Sequence, residues 1–389
     1  MDGGMHNDGA GDSSLDPGAP TGPLLDGGAL GSGQAAGESA GISYFTPALK
    51  GPLMDIASDP AGNGWFTNGI YVGRITPAGI VTQFRLPVED GGLPWGLYIT
   101  SGSDGNIWVG NGASRIDRIK PTGEITEFMV NVTPGLFFEL TSGADGNLWF
   151  TVGNQGKLGR LTPSGALTEY DVHATTLVPA TQDLVLEIPS PVDLRDTLAV
   201  AANGDVWFMV DSVGSIDSYT LGMRRASDGR LNTFESQFPA EGYKSIVVDA
   251  RGYPWFTDAK NNNPPGVSVG RIDGTTAQRF QVACPSTSEN TAAPNIAVVA
   301  TDPSGAEIWF TEPRYATLLR VDASTGRSTC FHAFGGLATQ GIPGYPHRIA
   351  PARDGSVWFT ETTYSAGING GFPHPGGGPS TSVIGHLVP

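Results

Sequence analysis

Several things are scarce in this 389-residue chain, and each scarcity excludes something. Only 15% of its residues are charged, which fits neither a helical bundle nor a doubly wound α/β protein. Basic residues are few: 22 Lys and Arg stand against 38 Asp and Glu, a formal charge of −16. Nucleic-acid binders present basic surface, so a phosphate-backbone partner is not expected. No stretch approaches the roughly 20 apolar residues that span a bilayer, so no transmembrane segment is expected either. Cysteine is limited to Cys284 and Cys330. At most one internal disulfide can form, and their places in consecutive repeats leave that possibility open.

Glycine and proline are abundant, at 56 and 30 residues. Such a chain reads as many short strands joined by tight turns. Residues 1–41 read differently: six acids, no Lys or Arg and very little apolar content. A segment of that kind cannot bury a core and is expected to be a disordered, acidic Gly/Asp-rich tail. It has neither a basic n-region nor an apolar h-region, so it is not itself a signal peptide. It reads as the spacer that follows a removed signal or lipid-attachment sequence. On that reading the protein is exported, to the periplasm, the cell surface or the medium; without such a signal it would be cytoplasmic.

An internal repeat dominates the rest. The turn before each tryptophan recurs as DPAGNGWFT, GSDGNIWVG, GADGNLWFT, AANGDVWFM, ARGYPWFTD, PSGAEIWFT and RDGSVWFTE. Trp65, Trp108, Trp149, Trp207, Trp255, Trp309 and Trp358 are spaced 41 to 58 residues apart, and only Trp95 lies outside the series. That period is one four-stranded propeller blade. Each unit parses into an apolar strand a, a Gly-containing turn, strand b with the Trp, strand c (VGRITP, LGRLTP) and strand d with an aromatic between polar residues. The seventh unit stops at a strand c, VIGHLVP, with no strand d after it. The missing pattern stands at 42–49, ISYFTPAL. These features predict an all-β, seven-bladed β-propeller over 42–389, its last blade closed by the N-terminal strand, which leaves no open sheet edge at the seam.

Antiparallel hairpins place the start of strand a and the end of strand b on one face. His347 and Glu361 occupy those two places in the seventh unit. The strand b exits read Asn68, Gly110, Val152, Val210, Asp258, Glu312 and Glu361, so three successive blades carry carboxylates. With Asn295 and His347 at the entries of strand a in the sixth and seventh units, one sector gathers acids and an imidazole. That set suits a hard divalent cation and a general base; a solvated acidic rim accounts for the acids equally well. The long connections, 173–190, 259–267, 283–293, 334–345 and 362–380, all emerge on the mouth that holds His347, as binding faces do. The last of them carries His374.

The DGNLWFT…GKLGRLTPSGALTEY repeat resembles the virginiamycin B lyase family. The resemblance implies a seven-bladed propeller with a magnesium-dependent site at one mouth, opening a cyclic depsipeptide by elimination at the ester C–O bond. It implies that His347, in YPHRI, takes the place of the catalytic acid–base histidine and Glu361, in WFTE, that of a metal-binding glutamate. Three positions depart from the family pattern. Tyr345 replaces the other metal glutamate, Asn295 a substrate-contacting histidine, and Leu53 a first-blade tyrosine. Glu312 and Asp258 are the neighbouring acids able to restore metal charge, and Ca²⁺ suits such oxygen ligands as well as Mg²⁺.

Three functions follow as expectations. The first is a C–O lyase with His347 as acid–base, acting on a small-molecule or peptide-lactone ligand at the channel mouth. The second is a non-catalytic exported propeller that binds a ligand or protein through the same face. The third is a lactone hydrolase, which seven blades disfavour. A monomer is expected in each case.

Overall fold

A computed structural model of the chain describes residues 28–34, 41–47, 49, 53–87, 98–111, 115–130, 137–152, 156–172, 177–179, 194–211, 219–234, 245–258, 267–273, 276–282, 298–312, 316–333, 345–362 and 382–389. These residues form seven sheets, antiparallel but for one added outer strand, arranged as blades around an axis. Blade 1 runs Leu53–Ser58, Gly64–Asn68, Tyr71–Ile75 and Val81–Arg85. Blade 2 runs Tyr98–Ser101, Ile107–Asn111, Arg115–Ile119 and Ile125–Met129. Blades 3 to 6 repeat the order a-b-c-d. Blade 7 combines Tyr345–Pro351, Val357–Thr362 and Ser382–Val388 with the N-terminal strand Gly41–Thr46, which pairs antiparallel with Ser382–Val388. Each inner strand touches the next, and the last touches the first, so the ring is closed.

Side-chain chemistry explains why each unit folds alike. Every repeat tryptophan is buried, none more than 6% exposed. Each lies against an aromatic of strand d, from Trp65–Phe84 at 5.8 Å to Trp358–Phe45 at 6.1 Å. In five blades an arginine of strand c covers the Trp face, as Arg74 does Trp65 and Arg320 does Trp309. Blade 7 has His386 stacked on Trp358 at 4.1 Å instead. The a–b turns place a glycine at φ between +70° and +88° in all seven blades, a conformation that side chains with a Cβ resist. In blades 1 and 5 the turn aspartate accepts the indole N–H: Trp65 Nε1 donates to Asp59 at 2.8 Å, and Trp255 Nε1 to Asp249 at 3.0 Å.

Two observations depart from the sequence reading. Residues Gly28–Gln34, assigned by composition to a disordered tail, form a fifth, outermost strand antiparallel to Gly41–Thr46. Backbone pairing to an otherwise open edge needs no apolar side chains, which is why composition does not reveal it. Leu177–Pro179, inside the 173–190 connection, adds a parallel strand to the outer edge of blade 4. Apart from this strand and a few end residues, the long connections, His374 among them, lie outside the described residues.

Cys330, on the outer strand of blade 6, is disulfide-bonded, and Cys284 is the only other cysteine of the chain. Cys330→Ser is expected to lower the unfolding free energy by about 2–4 kcal/mol. Urea melts with and without reductant check this; identical wild-type midpoints in the two conditions would contradict it.

Candidate functional site

The entry of strand a in blade 7 is not a regular ladder. Pro346 pairs with Glu361 and Arg348 with Thr360, so His347 is an extra residue, a β-bulge. Bulges of this kind re-aim a side chain. The inner strands of blades 1, 3 and 4 show register shifts at the corresponding entry. The bulge is pinned by a hydrogen bond in which the Arg348 backbone N–H donates to Thr360 Oγ1 at 3.1 Å. The same bond recurs in blade 1 (Asp55 N–H to Thr67 Oγ1, 3.1 Å) and blade 6 (Val298 N–H to Thr311 Oγ1, 3.0 Å). His347 is half-buried. Its surroundings push the imidazole pKa down to about 3, mainly through burial and further through the Arg348 charge. The ring is therefore neutral at physiological pH, and it is a weak base.

The register of Pro346 with Glu361 puts His347 and Glu361 at the same end of one hairpin. The two side chains have different surroundings. Glu361 is 1% exposed. Alternation along strand b puts it on the face of Phe359, which packs with Trp309 and Phe331 of blade 6. Tyr44 of the closing strand lies across Phe359, edge to face at 6.0 Å, and its hydroxyl has no hydrogen-bond partner among the described residues. Burial, and then the Glu361 charge, raise the Tyr44 phenol pKa. Glu361 thus sits in the cleft between blades 6 and 7 beside an N-terminal residue.

Glu312 repeats this arrangement one blade earlier, at 4% exposure. Its face is that of Phe310, which packs with Trp255 of blade 5. Across the sheet it is followed by Thr317 and His332, whose Oγ1 and Nδ1 are 3.4 Å apart. The sheet of blade 6 therefore separates Glu312 from Glu361. Asp258 ends strand b of blade 5 at the matching position; its side chain and that of Tyr345 lie outside the described set, as does all of Asn295. Among the described residues no group of three or more His, Cys, Asp or Glu could hold a metal ion.

Two details of the sequence reading change. The exit position of blade 2 is Asn111, which pairs with the first residue of strand c as Asn68, Val152 and Glu312 do; Gly110 is one residue short. The described exit groups also do not form a solvated rim. Asn68, Asn111, Glu312 and Glu361 are all 7% exposed or less, because they point between sheets.

The channel itself holds a cavity of about 620 Å³, lined by the inner strands of all seven blades. Asp55, Glu139, Ser245 and Arg348 are on its wall; His347, Glu361 and Glu312 are not. Asp55, on blade 1, links three blades by accepting the Ile99 N–H of blade 2 at 3.1 Å and lying 3.8 Å from Arg348 Nε of blade 7. Burial raises its carboxyl pKa although Arg348 opposes the shift. Tyr44, Asp55 and Arg348 carry no catalytic motif that would mark them in the sequence. The strand d alternation around Tyr44 was the one available signal.

Fold and site define a seven-bladed propeller closed by its own N-terminal strand, with a histidine bulge at one mouth. The Virginiamycin B lyase family model matches residues 26–181, so the resemblance read from the repeats is borne out over that part of the chain. A streptogramin B lyase structure is similar at 21% identity, covering 90% of this chain and 97% of that one, with a TM-score of 0.62. A catalytically inactive histidine-to-alanine variant of virginiamycin B lyase from Staphylococcus aureus with quinupristin is similar at 19% identity, covering 90% and 99%, with a TM-score of 0.60. A more distant propeller, YCF48 bound to D1 peptide, shares 9% identity and covers 92% and 100%, with a TM-score of 0.55. At such identities the likeness is one of fold. No curated protein is a significant match.

Proposed function

We propose that this chain is a virginiamycin B lyase-like propeller that binds a small-molecule or peptide-lactone ligand at the His347 mouth without opening it. One observation carries the reading: Glu361 is 1% exposed, on the face of strand b that packs towards blade 6. A weakly basic His347 points the same way, since a general base works best with a pKa near the working pH. The described carboxylates do not fit a shared Mg²⁺ or Ca²⁺ ion, because Glu361 and Glu312 face different clefts. In the bound state His347 offers a neutral imidazole for hydrogen bonding. The bonded Cys330 supports an oxidising compartment, and hence export.

Ring-opening elimination is the second reading, favoured by the hairpin that His347 and Glu361 share. There His347 would take the proton from the carbon next to a carbonyl. The electron pair would form a C=C bond, the adjacent C–O bond would break, and the carboxylate would leave without addition of water.

The test incubates the protein with streptogramin B and simple cyclic depsipeptides, with Mg²⁺ and with chelator, followed by mass spectrometry and calorimetry. Every ring is expected to stay closed. If a ring binds, His347→Ala should weaken binding roughly fivefold, the worth of about 1 kcal/mol for one hydrogen bond. Metal-dependent linearisation at unchanged mass, lost in His347→Ala, would replace this reading with the lyase. A product heavier by one water would indicate a hydrolase.

A further inference from the structure

Blade 2 breaks a packing rule that five other blades obey. In blades 1, 3, 4, 5 and 7 a strand b phenylalanine lies on a strand c glycine, so closely that a Cβ on the glycine would meet the ring at 2.0 to 2.5 Å. Blade 2 has Val109 there, paired with Asp117. The smaller side chain vacates the space and a carboxylate takes it. Asp117 is fully buried. Asn111 Nδ2 donates to it at 2.9 Å, and Arg115 Nε lies 3.1 Å from it. Arg115 also reaches Glu127, on strand d, at 3.0 Å. Its other terminal nitrogen donates to the Pro87 carbonyl, just beyond the outer strand of blade 1. Ile119, on the same face as Asp117, packs with Val72, Phe84 and Leu86 of blade 1, so the described residues of blade 1 meet the node with apolar side chains and one carbonyl.

The charges do not cancel. Among the described residues two carboxylates share one guanidinium, which leaves one negative charge. Glu127 keeps 44% of its side chain in water, whereas the Asp117 side chain has no exposure. A buried net charge is relieved most cheaply by a proton on its least hydrated member.

We propose that Asp117 makes the joint between blades 1 and 2 proton-responsive: mildly acidic medium loads a proton onto its carboxylate and tightens the joint, and neutral medium leaves a buried charge that loosens it. This inference is independent of the ligand proposed above. Burial, opposed by Asn111 and Arg115 and reinforced by Glu127, puts the Asp117 pKa at about 6. A folded pKa above the unfolded value of about 3.9 means that the native state binds the proton first. Stability from this group therefore rises as pH falls from about 6 towards 4. His347 acts oppositely. Its pKa is depressed to about 3, so it withdraws stability as pH falls below about 6.5. Burial lowers the His386 pKa too, so only the difference between variants isolates Asp117.

The experiment melts the full chain at several pH values between about 5 and 8, as wild type, Asp117→Asn and Glu127→Gln. Asp117→Asn is expected to melt a few degrees above wild type near pH 8, with the gap closing towards pH 5. Glu127→Gln leaves Arg115 to Asp117 alone and should move the pH response to lower pH. A gap independent of pH, or an Asn variant less stable than wild type near pH 8, would overturn the proposal. Should the Asn variant fail to fold, a carboxyl-carbon NMR titration of the wild type locates the proton directly. A midpoint for Asp117 below about 4.5 would then reject it.

Discussion

Removing residues 1–50 is expected to abolish folding, or to lower the melting temperature by tens of degrees, while removing residues 1–27 is expected to change it little. The closing strand supplies Ile42, Tyr44 and Phe45 to the core at 1%, 3% and 3% exposure. Tyr44 packs into the cleft with blade 6, and Phe45 covers Trp358 on the side of blade 1. Loss of one large buried side chain typically costs about 2–5 kcal/mol. Three together rival the 5–15 kcal/mol that a whole domain has to spare. Their loss also exposes the edge of Ser382–Val388 and the Glu361 carboxylate. A truncation after residue 40 removes only the outer strand Gly28–Gln34 and should have a small effect. Circular dichroism melts of the three truncations decide the matter; equal midpoints for the 1–40 and 1–50 deletions would refute the role of the closing strand.

The second large effect is expected from the phenylalanine–glycine contacts. A Cβ on Gly159 would lie 2.1 Å from the Phe150 ring, so the ring would have to move. Gly159→Val should therefore lose about 3 kcal/mol, the upper end of ordinary overpacking. Phe150→Val by itself leaves a cavity and should lose a similar amount. The pair combined should recover much of the loss, because blade 2 already places Val109 opposite a residue with a full side chain. Urea unfolding of the two single variants and the double variant measures the coupling. Strictly additive losses would show that the contact does not constrain the blade.

Much of the architecture is legible in the residues alone. The tryptophan period sets seven blades, and the orphan strand c at the C-terminus calls for the N-terminal strand that pairs with it. Hairpin polarity puts His347 and Glu361 at one end of blade 7. These inferences hold because a blade repeats local chemistry: a turn glycine, a buried indole and an alternating strand recur within each unit and need no knowledge of its neighbours.

What each end-of-strand side chain faces was decided only by the tertiary structure. His347 is a bulge residue, and bulges leave no period in a sequence. Glu312 and Glu361 look like rim acids until packing of Phe310 and Phe359 on adjacent blades shows that both point between sheets. In blade 2 the exit position is Asn111 and not Gly110, and a one-residue shift reverses the face of a strand. Gly28–Gln34 pairs through its backbone, which composition does not report. Arg348 and Asp55 meet across the channel wall only because blades 7 and 1 become neighbours when the ring closes. Spacing along the chain determined the number and order of the strands. The burial and charge environment of each site residue came from contacts between blades far apart in sequence, because desolvation depends on what surrounds a group and not on what precedes it.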